Sequence, residues 1–251
     1  HRNYYHLTEV DPNGTTPKGK MYGFYDNALI SDSWDNQATW NHEHVWPNSL
    51  GGGKVDNDIH MPRPTSVKIN SSRGNLCYAA SGAYDPGQYI ANYRGIAARI
   101  IFYSAIADTS LSVVDKIGLK SGANAMGKLS DLLKWNLEYL PDTSSSAALE
   151  LRIEQNRNNV IESQVQGNRN PFIDHPEYAC RIWGNTNATT QEICKKNVTP
   201  KPDTGDDGDD DGENTKKGCG GSIVAASSIV CLTSLGGFLL TLKKRKEEDE
   251  E

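Results

Sequence analysis

The chain has 251 residues, 36% of them hydrophobic and 23% charged, with 23 glycines; this is enough to bury a core as one domain or two small ones, and it excludes collagen, a coiled coil and wholesale disorder. A net charge of -6, from 26 basic and 32 acidic residues, argues at face value against a polyanion-binding protein. The charge is unevenly placed: residues 198–217 hold seven acids and three lysines and residues 243–251 five acids and four bases, so 1–197 keeps 19 basic and 20 acidic residues, a net of -1.

Residues 1–80 are rich in Gly, Pro, Asn and aromatics, with short apolar bursts at 21–25 and 40–46, a pattern of short strands joined by long loops. Pro47 ends the second burst. After a glycine-rich turn come Pro62 and Pro64, then a short helix expected from Thr65, carrying Lys68, Asn70 and Arg73, with Pro64 near its start. Apolar residues then recur at helical spacing over 89–107, 129–140 and 148–165. The expectation for 1–197 is an α+β domain with more helix than strand. Five cysteines are too few and too irregular for a disulfide scaffold or a zinc ribbon; if a pair exists, Cys180 with Cys194 is the one.

Residues 198–220 form an Asp- and Gly-rich stretch that cannot bury enough surface to fold, and read as a disordered acidic linker. Residues 221–242 carry no charge and as a helix would reach ~33 Å, enough to cross a hydrocarbon core of ~30 Å. Lys243, Lys244, Arg245 and Lys246 follow, so 243–251 is expected in the cytoplasm and everything before the span outside. Such a topology requires an export signal, expected upstream of His1 and removed. The Cys219-Gly220-Gly221 junction looks like that of C-terminal anchors on some bacterial surface proteins.

The reactive side chains are densest from Trp40 to Ser49, which holds His42, Glu43, His44, Asn41 and Asn48, and again at Asn57-Asp58-Ile59-His60. A zinc hydrolase would want H-E-x-x-H on a helix; the order here is His-Glu-His, although His42, His44 and His60 could still ligate zinc together. Each histidine could instead simply hold a loop by hydrogen bonds. Phosphodiester hydrolysis needs a base near neutral pH, a hard cation on the phosphate and help for the leaving oxygen. A histidine suits the first task, Glu43 and Asn70 supply the oxygen ligands Mg²⁺ prefers, and Arg63 or Arg73 could grip the phosphate. Successive strand residues point to opposite faces, so Glu43 and His44 can share a site only if the backbone is irregular near 43–46, and irregularity is expected there.

Four blocks, W-N-x-E-H-V-W from Trp40, D-I-H-M-P-x-P-x-x-x-x-x-N-S-S-R-G-N from Asp58, Y-R-G-x-A-A-R-x-x-F-Y from Tyr93 and Q-G-N-R-N-P-F-I-D-H-P-E from Gln166, resemble the bacterial endonuclease I family over about residues 10–183. The resemblance implies a His-Me finger (ββα-metal) site in which His44 is the general base, Glu43 the metal-binding carboxylate and Asn70 the helix asparagine that completes the metal site. It gives His60 a supporting role and makes Asn75 a weaker ligand candidate. Gln166, Asn168, Arg169, Asn170 and His175 fall in the last block, where they serve fold closure or substrate contact. The family's long insertion after Glu-His, with an arginine for the leaving phosphate, has no counterpart here, and Arg63 and Arg73 are proposed as substitutes. Ile96 and Asn136 also depart from the family pattern. The implied activity is a largely non-sequence-specific endonuclease on DNA, with RNA as a second substrate, using Mg²⁺ (Ca²⁺ and Mn²⁺ as alternatives) and leaving 5′ phosphates at the outer face of a bacterial membrane. A basic face is expected from Lys54, Arg63, Lys68, Arg73, Arg94, Arg99 and Arg169. The competing readings are a catalytically silent nucleic-acid-binding or adhesion module and a zinc-dependent hydrolase.

Overall fold

The computed structural model describes residues 2–195. The expected linker, span and tail lie outside the described residues. In chain order the first elements are α1 (Tyr5–Thr8), β1 (Lys20–Tyr22), β2 (Leu29–Ser31), β3 (Trp40–His44), β4 (Pro62–Ser66) and α2 (Val67–Arg73). There follow α3 (Tyr93–Ala107), β5 (Ser112–Val113), β6 (Ala125–Met126), α4 (Leu129–Glu138), α5 (Leu149–Val160), α6 (Pro171–Asp174), α7 (Tyr178–Trp183) and α8 (Ala188–Lys195).

Almost every residue of α3 from Tyr93 to Ala105 is buried, so this helix is covered on all sides. Its small residues let neighbours come close. At Gly95 a Cβ would collide with the Tyr139 carbonyl, so the segment after α4 can seat there only against a glycine. α4 turns Leu129, Leu132, Leu133 and Trp135 inward, and its outer face carries the Lys134–Glu138 pair. α5 runs on into a π-helical stretch, Ile161–Val165, and a disulfide between Cys180 and Cys194 ties α7 to α8. The expected helices are all present with trimmed ends: the first starts at Tyr93 rather than 89, the second stops at Glu138, and the third leaves α geometry after Val160.

The strands form three separate two-stranded sheets, β1 with β2 and β3 with β4 antiparallel, and β5 with β6 parallel. The domain is thus α+β and richer in helix than strand. β4 was not legible as a strand, because Pro62 and Pro64 lie within it. In a two-stranded sheet every strand is an edge, and a proline can sit with its missing N–H turned away from the ladder. Pro64 therefore belongs to β4 rather than to the helix start. The helix expected from Thr65 begins at Val67, where the Ser66 hydroxyl caps it by accepting from the Ile69 N–H at 3.3 Å. Among the described residues no helix is long and apolar enough to cross a membrane.

Candidate active site

β3, β4 and α2 form one unit: a ladder registered from Trp40↔Ser66 to His44↔Pro62, followed by the helix. The alternation of β3 sends Asn41 and Glu43 toward α2 and His42 and His44 to the other face. Contacts follow that split. Asn70 Nδ2 donates to Asn41 Oδ1 at 2.6 Å and to the His42 carbonyl at 3.0 Å, and one turn later Arg73 Nε lies 3.2 Å from Glu43 Oε1. The two contacts two residues apart on the strand match two contacts three apart on the helix, which is how a helix turn lies along a strand. The expected irregularity begins later than 43: the ladder is intact through His44, and the bend comes at Val45 and Trp46.

Glu43 is almost wholly enclosed, with 1% of its surface exposed. Its Oε1 accepts from the Tyr25 hydroxyl at 2.7 Å and faces Arg73, while Oε2 is buried and accepts no hydrogen bond of ordinary geometry. Burial raises the carboxyl above its usual range, against the pull of the Arg73 charge and the Tyr25 hydrogen bond. A buried carboxylate oxygen without a donor is poised for a cation. Asn70 has committed its amide nitrogen, which leaves its carbonyl oxygen as the atom with spare capacity. Carboxylate and amide oxygens together fit a hard divalent ion.

His44 keeps 25% of its side chain exposed, and its Nε2 lies 2.7 Å from Asp56 Oδ1. A carboxylate only accepts, so Nε2 carries the hydrogen, and in the neutral ring Nδ1 is the nitrogen with the lone pair. The loop that presents Asp56 is held from far along the chain. Gln166 accepts from the Ile59 N–H at 3.0 Å and donates to Asp58 at 2.8 Å; Tyr103 donates to Asp58 at 2.6 Å; and Asn168 donates to the Tyr103 hydroxyl at 2.6 Å. His60 is buried in this network against the Tyr103 ring, its Nε2 3.3 Å from the Asn168 carbonyl. Gln166 and Asn168 therefore close the fold around the Asp58–His60 segment. Arg169 does similar work on its own segment, paired with Asp174 and Glu162. Asn170 caps α6.

Arg63 and Arg73 do not face a substrate. Arg63, 2% exposed, is clamped on Glu9, which also binds Arg157; Arg73, 1% exposed, is spent on Glu43 and the Val45 carbonyl. Arg73 orients the carboxylate instead of gripping a phosphate. The expected basic face is corrected with them: Arg94 pairs with Asp85 and Arg99 with Glu154, which leaves Lys54 and Lys68 as its members outside ion pairs. The zinc reading also fails on geometry, because His42 packs against Tyr5 and Trp34, His44 against Asp56 and His60 against Tyr103. Among the described residues no group of three or more His, Cys, Asp or Glu side chains converges as a metal site would require. Asn75 stands exposed beyond the end of α2. The sequence alone does not single out Tyr25 or Asp56: Asp56 lies in the same V-D-N-D-I-H string as His60, and Tyr25 stands there only as part of an apolar burst.

A strand, strand and helix presenting a histidine, a carboxylate and an asparagine at these positions is the frame in which relatives can be compared. A family model described as Endonuclease I matches residues 13–89 and 85–177. The chain belongs to the endonuclease I family. It is 38% identical over 199 residues to a protein of Bacillus amyloliquefaciens named extracellular ribonuclease, covering 70% of this chain and 65% of that one. It is 37% identical over 200 residues to a protein of the same name from Bacillus subtilis (strain 168), covering 70% and 66%. The chain thus spans just under two thirds of the length of these curated relatives. No solved structure matches.

Proposed function

We propose that this protein is a metal-dependent nuclease that hydrolyses phosphodiester bonds of RNA and DNA with little sequence preference, and that β3, β4 and α2 are a His-Me finger. The observation that carries the reading is that the last two residues of β3 are a carboxylate with one oxygen tied down and the other unpartnered and an imidazole held by Asp56; the two side chains leave the ladder on opposite faces, and the ladder ends at His44, where the backbone bends and a site can draw on both. Glu43 Oε2 and the Asn70 carbonyl would hold the ion, Mg²⁺ by the hardness of the donors, with Ca²⁺ or Mn²⁺ able to replace it. When bound, such an ion neutralises charge on the scissile phosphate and stabilises the leaving 3′ oxygen. His44 Nδ1 takes the proton of the attacking water, and Asp56 holds the ring in the tautomer that allows it. Because water attacks rather than a 2′-hydroxyl, the chemistry does not depend on the sugar. The product carries a 5′ phosphate from either nucleic acid. The relatives' name supports RNA as a substrate beside DNA, and its first word supports export. The charge-free run at 221–242 supports retention at the outer face of the membrane.

Incubation of the full chain with plasmid DNA and with a long RNA, with and without EDTA, tests this. Cleavage of both that EDTA abolishes and that His44→Ala lowers at least about a hundred-fold is expected. Cleavage by His44→Ala at the wild-type rate would overturn the base assignment, and binding without cleavage by the wild type would favour a silent binding module.

A further inference from the structure

Tyr25 lies outside the strand-strand-helix unit, in the connection between β1 and β2, and its backbone is in the left-handed region at φ 84°. A bulky L-residue seldom adopts that conformation, and where one does the surrounding structure must hold it there. Gly23, in the same connection, is not the residue that takes it. The conformation drives the Tyr25 ring wholly into the core, against Phe24 at 4.4 Å and Tyr84 at 5.4 Å between ring centres, and brings its hydroxyl to Glu43 Oε1. The Tyr25 and Tyr78 hydroxyls are 2.5 Å apart. Each phenol has one hydrogen. Tyr25 gives its own to the carboxylate, so a hydrogen shared between the two phenols is the one on Tyr78, which also lies close enough to Glu43 to act on its carboxyl. Arg73 faces the same oxygen, with its guanidinium 4.9 Å over the Tyr78 ring. Tyr25 and Arg73 both address Oε1, and Oε2 is left without a hydrogen bond.

We infer that Tyr25 is a positioning residue for Glu43: it fixes which carboxylate oxygen is offered to a divalent cation, a role that rests on the reading of Glu43 as a metal ligand. The backbone strain is located at the residue whose hydroxyl does the fixing.

The test is Mn²⁺ binding by the full chain, measured by isothermal titration and by the electron paramagnetic resonance of free Mn²⁺, without nucleic acid. Tyr25→Phe keeps the ring and deletes the hydroxyl, and its affinity is expected to fall about ten-fold or more, as for loss of an outer-shell partner of a metal ligand. Tyr84→Phe deletes a hydroxyl from the same core that makes no bond to the carboxylate, and should bind as the wild type does. Glu43→Gln should lose binding. If Glu43→Gln loses the ion while Tyr25→Phe binds at full strength, the role of Tyr25 is overturned and the metal reading survives. If Glu43→Gln also binds at full strength, both are overturned. Circular dichroism and melting report whether Tyr25→Phe folds. Should it not, Tyr78→Phe decides: a loss of about two- to five-fold is expected from deleting the hydrogen it shares with Tyr25, and unchanged affinity would overturn the role.

Discussion

His60 is a buried imidazole that has little room for a charge. Burial, helped by the nearby charge of Arg157, pushes its pKa down to about 4 from an ordinary 6.5. Below pH 6.5 the unfolded chain takes up a proton there that the folded chain refuses, so acidification draws the protein toward unfolding. The loss accumulates between about pH 6.5 and pH 4 and amounts to about 3 kcal/mol. Denaturant unfolding across that window should show stability falling with pH, and His60→Gln, which cannot titrate, should flatten the slope; an unchanged slope would contradict the assignment. At this scale the places of Glu43, His44 and Asn70 on one strand and one helix were legible because a motif needs only adjacency and spacing. Tyr25 and Asp56 were not, because each reaches its partner by a hydrogen bond across a loop, 18 and 12 residues away in the chain, and no periodicity records such a bond. The arginines were misjudged for a related reason: a guanidinium reads as a phosphate grip until its carboxylate partner is seen.

Glu9 joins three elements that share no sequence neighbourhood. It follows α1, accepts from Arg63 of β4 at 2.6 Å, and pairs with Arg157 of α5. All three side chains are buried, and burial pushes Arg157 down to about 10. Removing the single carboxylate would leave two guanidiniums enclosed without compensation. Glu9→Gln should therefore cost about 3–5 kcal/mol in equilibrium unfolding, far beyond a surface substitution. A change below 1 kcal/mol would mean that the cluster is hydrated. The long helices were readable from their apolar spacing because α3, α4 and α5 each bury several turns. The short strands were only half readable. β3 announces itself by its aromatics, but its partner β4 carries two prolines, and β5 and β6 are two residues each, too short to show an alternation.

Across the whole domain, arginine is spent inward. Arg63, Arg73, Arg94, Arg99, Arg152, Arg157 and Arg169 are all committed to carboxylates. Seven of the nine arginines in residues 1–197 are thus already engaged, while Arg181 stands exposed over the Tyr178 ring. Nucleic-acid affinity should then depend on salt only weakly. For the His44→Ala chain and a short DNA duplex, a plot of log K against log salt should have a slope of about -2, from Lys54 and Lys68, in place of the roughly -6 that the seven cations of the expected face would give if free. A slope near -6 would show that the ion pairs open on binding.

The loop that bears Asp56 has a consequence in time as well as in space. Its clasps are Gln166 on Ile59 and Asp58, Asn168 behind Tyr103, and Arg157 on the Ile59 and Pro62 carbonyls, contacts that span from 65 to 108 residues. A chain delivered amino end first exposes His44 and Glu43 long before it delivers the residues that hold their surroundings in place. The proposed base and metal ligand are present early, but the arrangement that would make them a site waits for the last block of the domain to emerge.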